Sequence, residues 1–138
     1  MKVKMKKLHP DAVIPKYAKP GDAGMDLTAV KMERAWDVVT YKTGLAVEIP
    51  EGHVGLLFPR SSVYKTSMVL SNCVGVIDSG YRGEIMMKFR GGPSSTCYKV
   101  GDRIGQLIIL FYPQIEFEEV EELSSTDRGD GGYGSTGN

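Results

Sequence analysis

The chain has 138 residues, of which 41% are apolar and 25% are charged. This length predicts a single domain with a sizeable core. Lysine plus arginine equals aspartate plus glutamate, at 17 each, so no overall field draws the chain to nucleic acid or to an anionic membrane. Any site for an anion must therefore be local.

The first ten residues are basic and hold no apolar stretch of the ~7–15 residues that a signal peptide needs. The longest apolar run, residues 107–112, is too short to span a bilayer. We therefore predict a cytoplasmic protein without a membrane partner. Cys73 and Cys97 are far apart and lack a CxxC pattern, which predicts two isolated, buried thiols.

Short alternating segments follow one another along the chain. Apolar residues alternate with lysines at the N-terminus, which predicts an edge strand over residues 3–5. Residues 9–26 are rich in Pro, Gly, Asp and Ala and predict a loop that passes into a strand. The alternation at 45–49, a turn at 50–52 and an apolar run at 54–58 predict a hairpin.

The segment from Asn72 to Phe89 predicts a second hairpin, with apolar arms at 74–77 and 85–89. Turn residues between the arms place the carboxylate of Asp78 and the ring of Tyr81 together at the tip. Aspartate at the first position of a turn often serves only to form the turn. The sequence therefore leaves a structural and a chemical interpretation of Asp78 open.

Roughly seven to ten short strands, separated by turn signals and without a sustained helical period, predict an all-β sandwich or barrel. One short helix is expected where Ser61 and Ser62 precede residues 63–65. After Leu123 the sequence turns to glycine and polar residues. That composition predicts a mobile arm.

Two stretches have the composition of phosphate sites. Pro59-Arg60-Ser61-Ser62 places a permanent cation and two hydroxyls at a predicted helix start, although an ordinary helix cap beside a solvated arginine has the same pattern. The glycine-rich tail carries Arg128 and Tyr133, which suit a lid that binds phosphate and stacks on a base. A functionless mobile end fits the tail equally.

Five stretches, in this order, resemble the motifs of the homotrimeric dUTP pyrophosphatase (dUTPase) family. They are AGMDLTA from Ala23, PRSS from Pro59, GVIDSGYRGEI from Gly75, GDRIGQLI from Gly101 and RGDGGYGSTG from Arg128. The resemblance covers essentially the whole chain. It departs from the family pattern slightly, with Tyr133 where many members have Phe and Val63 where a smaller residue is common.

The resemblance implies an all-β, distorted jelly-roll-like β-barrel with at most one short helix. It implies a nucleotidohydrolase domain over residues 1–123 and a flexible arm over residues 124–138 that closes over an active site. It further implies a homotrimer in which motifs from three subunits meet in each shared site.

The implied reaction is Mg²⁺-dependent hydrolysis of dUTP to dUMP and pyrophosphate by water attack at the α-phosphorus. This would limit uracil incorporation into DNA and supply dUMP for thymidylate synthesis. Asp78 resembles the carboxylate that orients and deprotonates the water, and Tyr81 the ring under the deoxyribose. Asp26 resembles a carboxylate near the metal, acting through water while the triphosphate holds most of the ion. The other implied contacts are Arg60, Ser61, Ser62, Gln106 and Arg128 to phosphate; Asn72, Gly75, Val76 and Ile77 to uracil; Gly134, Ser135 and Thr136 to the γ-phosphate; and Tyr133 to the base.

Two other function classes stay open. A dCTP deaminase shares the fold but would be expected to lack the full glycine-rich arm. A non-catalytic member of the fold could act as a nucleotide-sensing interaction protein, although every implied catalytic position is filled here. The zinc-dependent nucleobase deaminases are excluded, because the chain has no His-x-Glu followed by Pro-Cys-x-x-Cys.

Overall fold

Ten short β-strands and one 3₁₀ turn form the fold in the computed structural model, which describes residues 1–91 and 96–132. The strands are β1 (Lys4–Lys7), β2 (Met25–Thr28), β3 (Lys31–Ala35), β4 (Val38–Lys42), β5 (Leu45–Glu48), β6 (His53–Phe58), β7 (Val69–Leu70), β8 (Gly75–Ile77), β9 (Met86–Arg90) and β10 (Arg103–Phe111). The 3₁₀ turn spans Ser61–Lys65. The predicted all-β class with one short helical turn is confirmed.

The strands form two four-stranded antiparallel sheets and a two-stranded ribbon. One sheet has the order β2-β10-β6-β8, the other the order β3-β4-β9-β7, and the ribbon pairs β1 with β5. From β5 to β10, every consecutive strand lies in a different sheet from the one before it. This crossing between layers is the jelly-roll-like arrangement that the family resemblance implied.

One hydrophobic core includes residues from both four-stranded sheets. Leu107 of the first sheet and Tyr41 and Phe89 of the second are fully buried members of it. A Cβ atom added to Gly105 of β10 would lie 2.3 Å from Sδ of Met87 on β9. The two sheets therefore approach closely at this point, where the glycine leaves room for the methionine.

Both predicted hairpins are wrong. The turn after β5 exists, because the His53 N–H donates to the Pro50 carbonyl at 3.1 Å, yet β5 pairs with β1 while β6 pairs with β10 and β8. Likewise β8 pairs with β6, whereas β9 pairs with β4 and β7. Alternation reports which face of a strand is buried but not which strand lies beside it.

The lysine-rich edge strand is confirmed as β1, whose one pairing in the described chain is with β5. The sequence analysis missed the hairpin of β3 and β4. All five residues of β3 are exposed, so that strand shows no buried apolar face. Cys73 is exposed and Cys97 is only partly buried, so the predicted burial of both thiols is wrong. No helix within the described residues is long and apolar enough to cross a membrane.

Candidate active site

A tight turn follows β8 and presents Asp78 and Tyr81. The Tyr81 N–H donates to the Asp78 carbonyl at 3.1 Å, which closes a four-residue β-turn. Asp78 is exposed, and the Tyr81 side chain is 43% exposed. The sequence-based expectation that a carboxylate and a phenol ring share the tip of this loop is confirmed, although the loop joins two sheets and not two arms of a hairpin.

The ring of Tyr81 is held against the end of the loop. Its hydroxyl donates to the Glu84 carbonyl at 3.1 Å. A Cβ atom added to Gly83 would lie only 2.3 Å from the Tyr81 hydroxyl oxygen and 2.5 Å from Cζ. Glycine at position 83 therefore provides the space that this ring orientation requires.

Arg82 and Glu84 fix the two ends of the loop. One Arg82 nitrogen, Nη1, donates to the Ser79 carbonyl at 2.6 Å and to the Tyr81 carbonyl at 2.9 Å. Glu84 Oε1 accepts from the Gly44 N–H at 2.8 Å, which ties the loop to the corner between β4 and β5. The 78–81 turn is thus held mostly by hydrogen bonds to main-chain groups.

The charge of Arg82 also reaches the β1–β5 ribbon. The Lys4 ammonium lies 3.0 Å from Glu48 Oε1 and is the main cause that holds the pKa of Glu48 below its usual range. The positive charge of Arg82 lowers the same pKa further. Arg82 therefore donates to the carbonyls of the turn and also acts through its charge on a carboxylate of the ribbon.

A cleft of about 370 Å³ lies beside the turn. Asp78, Tyr81, Asn72 and the whole of β8 line one part of it, and residues 84–88 line another. The cleft therefore brings together the residues that the family resemblance assigns to the uracil-reading strand, Asn72 and Gly75 to Ile77. It places them beside Asp78, the predicted general base, and Tyr81, the predicted sugar-binding ring. The cleft has the size typical of a small-molecule site.

A second group of predicted residues surrounds Asp26 on β2. Asp26 Oδ1 lies 2.8 Å from Arg60 Nε, and Asp26 Oδ2 lies 2.9 Å from Arg103 Nη1. The Asp26 and Arg60 side chains are only about a quarter exposed, at 25% and 26%, and Arg103 is 54% exposed. We call these three residues the Asp26 triad.

Gln106 and the start of the 3₁₀ turn adjoin the Asp26 triad. Gln106 Nε2 donates to the Pro59 carbonyl at 3.2 Å, and Arg60 Nη1 donates to Ser62 Oγ at 3.4 Å. A Cβ atom on Gly24 would lie 2.2 Å from Gln106 Oε1, so this glycine makes room for the amide. Ser61, the first residue of the 3₁₀ turn, is exposed.

The predicted residues therefore fall into two groups in the chain. Among the described residues, none of Asp26, Arg60, Ser62 or Gln106 lines the cleft beside the 78–81 turn. Arg128 is exposed and its Nε donates to the Gly131 carbonyl at 2.9 Å, within its own segment. The predictions for Tyr133, Gly134, Ser135 and Thr136 lie outside the described residues.

The sequence analysis missed Arg103, Arg82 and Glu84. Arg103 stands three residues before Gln106 within GDRIGQLI, so its place in a motif was the available signal. Within residues 1–91 and 96–132, no group of three or more His, Cys, Asp or Glu side chains could by itself hold a metal ion.

The dUTPase family model matches residues 10–137 of this chain. The chain belongs to the dUTPase family. The deoxyuridine 5'-triphosphate nucleotidohydrolase of Thermobifida fusca is 40% identical over an aligned length of 147 residues, gaps included. The alignment covers 99% of this chain and 79% of that protein. This membership confirms the resemblance drawn from the five motifs.

Solved dUTPase structures share the fold. The dUTPase of Staphylococcus bacteriophage 80alpha with dUPNHPP is 29% identical, with a TM-score of 0.87 over 99% of each chain. A variant of the phage phi11 dUTPase of S. aureus, described as revealing the coordination of a structural Mg(II) ion, is 26% identical with a TM-score of 0.74, over 88% of this chain and 98% of that chain.

Proposed function

We propose that this dUTPase-family chain hydrolyses dUTP to dUMP and pyrophosphate by attack of water at the α-phosphorus. The observation that carries the proposal is the 78–81 turn, where an exposed carboxylate and a pinned phenol ring meet at a cleft of nucleotide-compatible size. In this role Asp78 accepts a proton from the attacking water as general base. Tyr81 packs under the deoxyribose, where its ring leaves no space for a 2′-hydroxyl.

The remaining residues bind the two ends of the substrate. Asn72 and the main chain of residues 75–77 hydrogen-bond to uracil along the wall of the cleft. The guanidinium of Arg60, with Ser61, Ser62 and Gln106, binds phosphate oxygens through several convergent donors. Arg128 completes the phosphate contacts from the arm over residues 124–138, in which Gly134, Ser135 and Thr136 bind the γ-phosphate and Tyr133 stacks on the base.

The donor set suits a magnesium ion that arrives with the triphosphate. Mg²⁺ usually keeps several waters and binds one or two carboxylates plus substrate phosphates. Asp26 is the one carboxylate of its triad, and both its oxygens already accept from arginine, so it would reach the ion through water. When bound, the ion neutralises developing charge on the phosphate oxygens.

We further propose that the active enzyme is a homotrimer with shared sites. The separation of the cleft from the Asp26 triad in one chain supports this, because a site built by several subunits would join them. The segment 113–123 also supports it, since it is exposed throughout, with Phe117 92% exposed. Four large apolar side chains of the segment are exposed, those of Ile115, Phe117, Val120 and Leu123, and exposed apolar side chains grouped in this way mark interaction surfaces.

Charge complementarity favours a second copy as the partner of this segment. The described edge strand β1 and its flank carry Lys2, Lys4, Lys6 and Lys7, whereas the exposed segment carries Glu116, Glu118, Glu119, Glu121 and Glu122. Opposite charges across neighbouring strands stabilise their pairing. Sedimentation should therefore give a trimer, and Phe117→Asp should weaken it. A stable, active monomer would refute this part of the proposal.

We propose that residues 1–123 form the domain that folds and that residues 124–138 form the arm that closes over the site. A cytoplasmic enzyme of this activity would limit uracil incorporation into DNA and supply dUMP for thymidylate synthesis. The direct test is pyrophosphate release from dUTP, with UTP and dTTP as controls and ammonia release from dCTP measured in parallel. Rapid, Mg²⁺-dependent release from dUTP alone is expected, and ammonia from dCTP would replace the proposal with a deaminase.

A further inference from the structure

The Asp26 triad joins three elements that are far apart in the sequence. Asp26 lies on β2, Arg60 follows β6, and Arg103 begins β10. Each carboxylate oxygen of Asp26 accepts from a different guanidinium, at 2.8 Å from Arg60 Nε and 2.9 Å from Arg103 Nη1. The carboxylate therefore brings two permanent cations close to each other.

An irregularity in β10 explains why Arg103 reaches this place. The Cα partners Arg103 and Thr28, Gly105 and Leu27, and Gln106 and Asp26 show a register shift between Arg103 and Gly105. In a regular strand, residues three apart point to opposite faces. A bulge re-aims a side chain and is common beside active sites, and here it lets Arg103 and Gln106 both serve the surroundings of Asp26.

The triad carries a net charge of +1, from two guanidinium groups and one carboxylate. An arginine has five N–H donors, and the contact with Asp26 uses few of them. Arg103 is 54% exposed, so its remaining donors are accessible. A planar fork of donors beside a second one matches the oxygens of a polyphosphate.

We propose that Arg103 is a further triphosphate-binding residue and that Asp26 is the positioning residue that holds Arg60 and Arg103 side by side. This inference rests on the proposed function for the identity of the ligand. A carboxylate between the two cations reduces their mutual repulsion while the site is empty of phosphate. The bound phosphates then add anionic oxygens to the donors that Asp26 leaves unused.

The test measures binding separately from hydrolysis. Calorimetry with the non-hydrolysable analogue dUpNHpp and with dUMP, both in Mg²⁺, would be run on wild type, Arg103→Gln and Arg103→Lys. Arg90→Gln is the matched control, because Arg90 is an exposed arginine that lies 3.7 Å from Asp37, on the other sheet. Thermal unfolding of each variant monitors the fold.

We expect Arg103→Gln to weaken dUpNHpp binding about 10- to 100-fold, the usual range for a lost charge-assisted hydrogen bond, and to leave dUMP binding within about twofold. Arg103→Lys should be intermediate, since it keeps the charge without the fork. Arg90→Gln should bind both nucleotides like wild type. Equal weakening of dUMP and dUpNHpp by Arg103→Gln, or unchanged binding of both, would overturn the role of Arg103.

Asp26→Asn tests the positioning role. It should weaken dUpNHpp binding and raise KM for dUTP more than it lowers kcat, and its effect should be far from additive with that of Arg103→Gln. A raised Mg²⁺ requirement at saturating nucleotide, with unchanged dUpNHpp affinity at high Mg²⁺, would show that Asp26 acts only through the metal and would overturn its positioning role. Wild type that binds dUpNHpp without hydrolysing dUTP would sink the proposed function alone, and wild type that does not bind it would sink both.

Discussion

The 78–81 turn and the Asp26 triad are built by different means. The turn presents exposed side chains on a loop that is held by hydrogen bonds to main-chain carbonyls and to one N–H group. Gly83 has no side chain and so leaves space for the Tyr81 ring. The triad is a set of partly buried side chains that hold one another by charge across three elements. The difference predicts that the proposed catalytic groups are sensitive to backbone changes, whereas the proposed phosphate groups are sensitive to single changes of charge.

The largest expected effect follows from the carboxylate at the tip of the turn. Asp78→Asn should reduce kcat for dUTP roughly 10²–10⁴-fold, the usual contribution of a general base, while dUpNHpp binding stays near that of wild type. Asp78 is exposed, so the fold should be unaffected. Asp11→Asn, at another exposed aspartate, is the control. Turnover near the wild-type value would show that Asp78 only forms the turn.

Removing the arm should produce the next largest loss. A chain that ends at Leu123 should lose turnover sharply and keep its melting temperature, because residues 124–130 are all exposed and none of them belongs to the hydrophobic core. Tyr133→Ala should be milder, since one base–aromatic stack is worth about 1–3 kcal/mol, and Tyr133→Phe should be nearly silent. Thermal unfolding and dUTP hydrolysis are measured on the same preparations. Full activity after truncation would refute the arm as a lid, and unfolding would make it structural.

The sequence could place the proposed chemistry on the chain but not in space. The apolar run that ends in β8, the alternation that leads into β9 and the turn residues between them were enough to predict that Asp78 and Tyr81 share a tip. Which sheets the two strands join could not be predicted, because partner choice depends on packing of the whole core. For the same reason both predicted hairpins were wrong, because the two arms of each belong to different sheets.

The Asp26 triad was harder to predict than the turn. Asp26 and Arg103 are 77 positions apart, and their contact depends on a register shift that no local pattern reveals. The role of Gly83 was hidden for a related reason, since a glycine near a turn is usually explained by the turn itself. Only the position of the Tyr81 hydroxyl shows that a side chain at residue 83 has no room.

That observation gives a sharp test of the turn's backbone sensitivity. Gly83→Ala must move the Tyr81 ring, because the new Cβ would lie 2.3 Å from its hydroxyl oxygen. With the ring displaced, the ratio of kcat/KM for dUTP to kcat/KM for UTP should fall by about tenfold or more, since misplacement of a positioning group by about 1 Å can cost 10²-fold. The ratio is measured by steady-state kinetics with both nucleotides.

Gly80→Ala is the matched control for that experiment. It lies in the same turn, and an added Cβ there meets nothing within 4 Å. Its discrimination between dUTP and UTP should therefore equal that of wild type. An unchanged ratio in Gly83→Ala would show that a group other than Tyr81 discriminates between deoxyribose and ribose.

The smallest effect is expected from Arg82, the side chain that bridges the Ser79 and Tyr81 carbonyls. Both hydrogen bonds are exposed and come from one nitrogen, so Arg82→Gln should lower kcat/KM for dUTP only about three- to tenfold, in keeping with roughly 0.5–1.5 kcal/mol for a net hydrogen bond. Arg82→Lys should recover part of the loss, because an ammonium can still donate to a carbonyl. The melting temperature should not change, since Arg82 is exposed and both of these hydrogen bonds go to carbonyls of the same turn. If Arg82→Gln keeps the wild-type kcat/KM, the Asp78–Tyr81 hydrogen bond and Gly83 are enough to hold the turn. If Arg82→Gln instead lowers the melting temperature, and Glu48→Gln lowers it equally, then Arg82 stabilises the β1–β5 ribbon and not the turn.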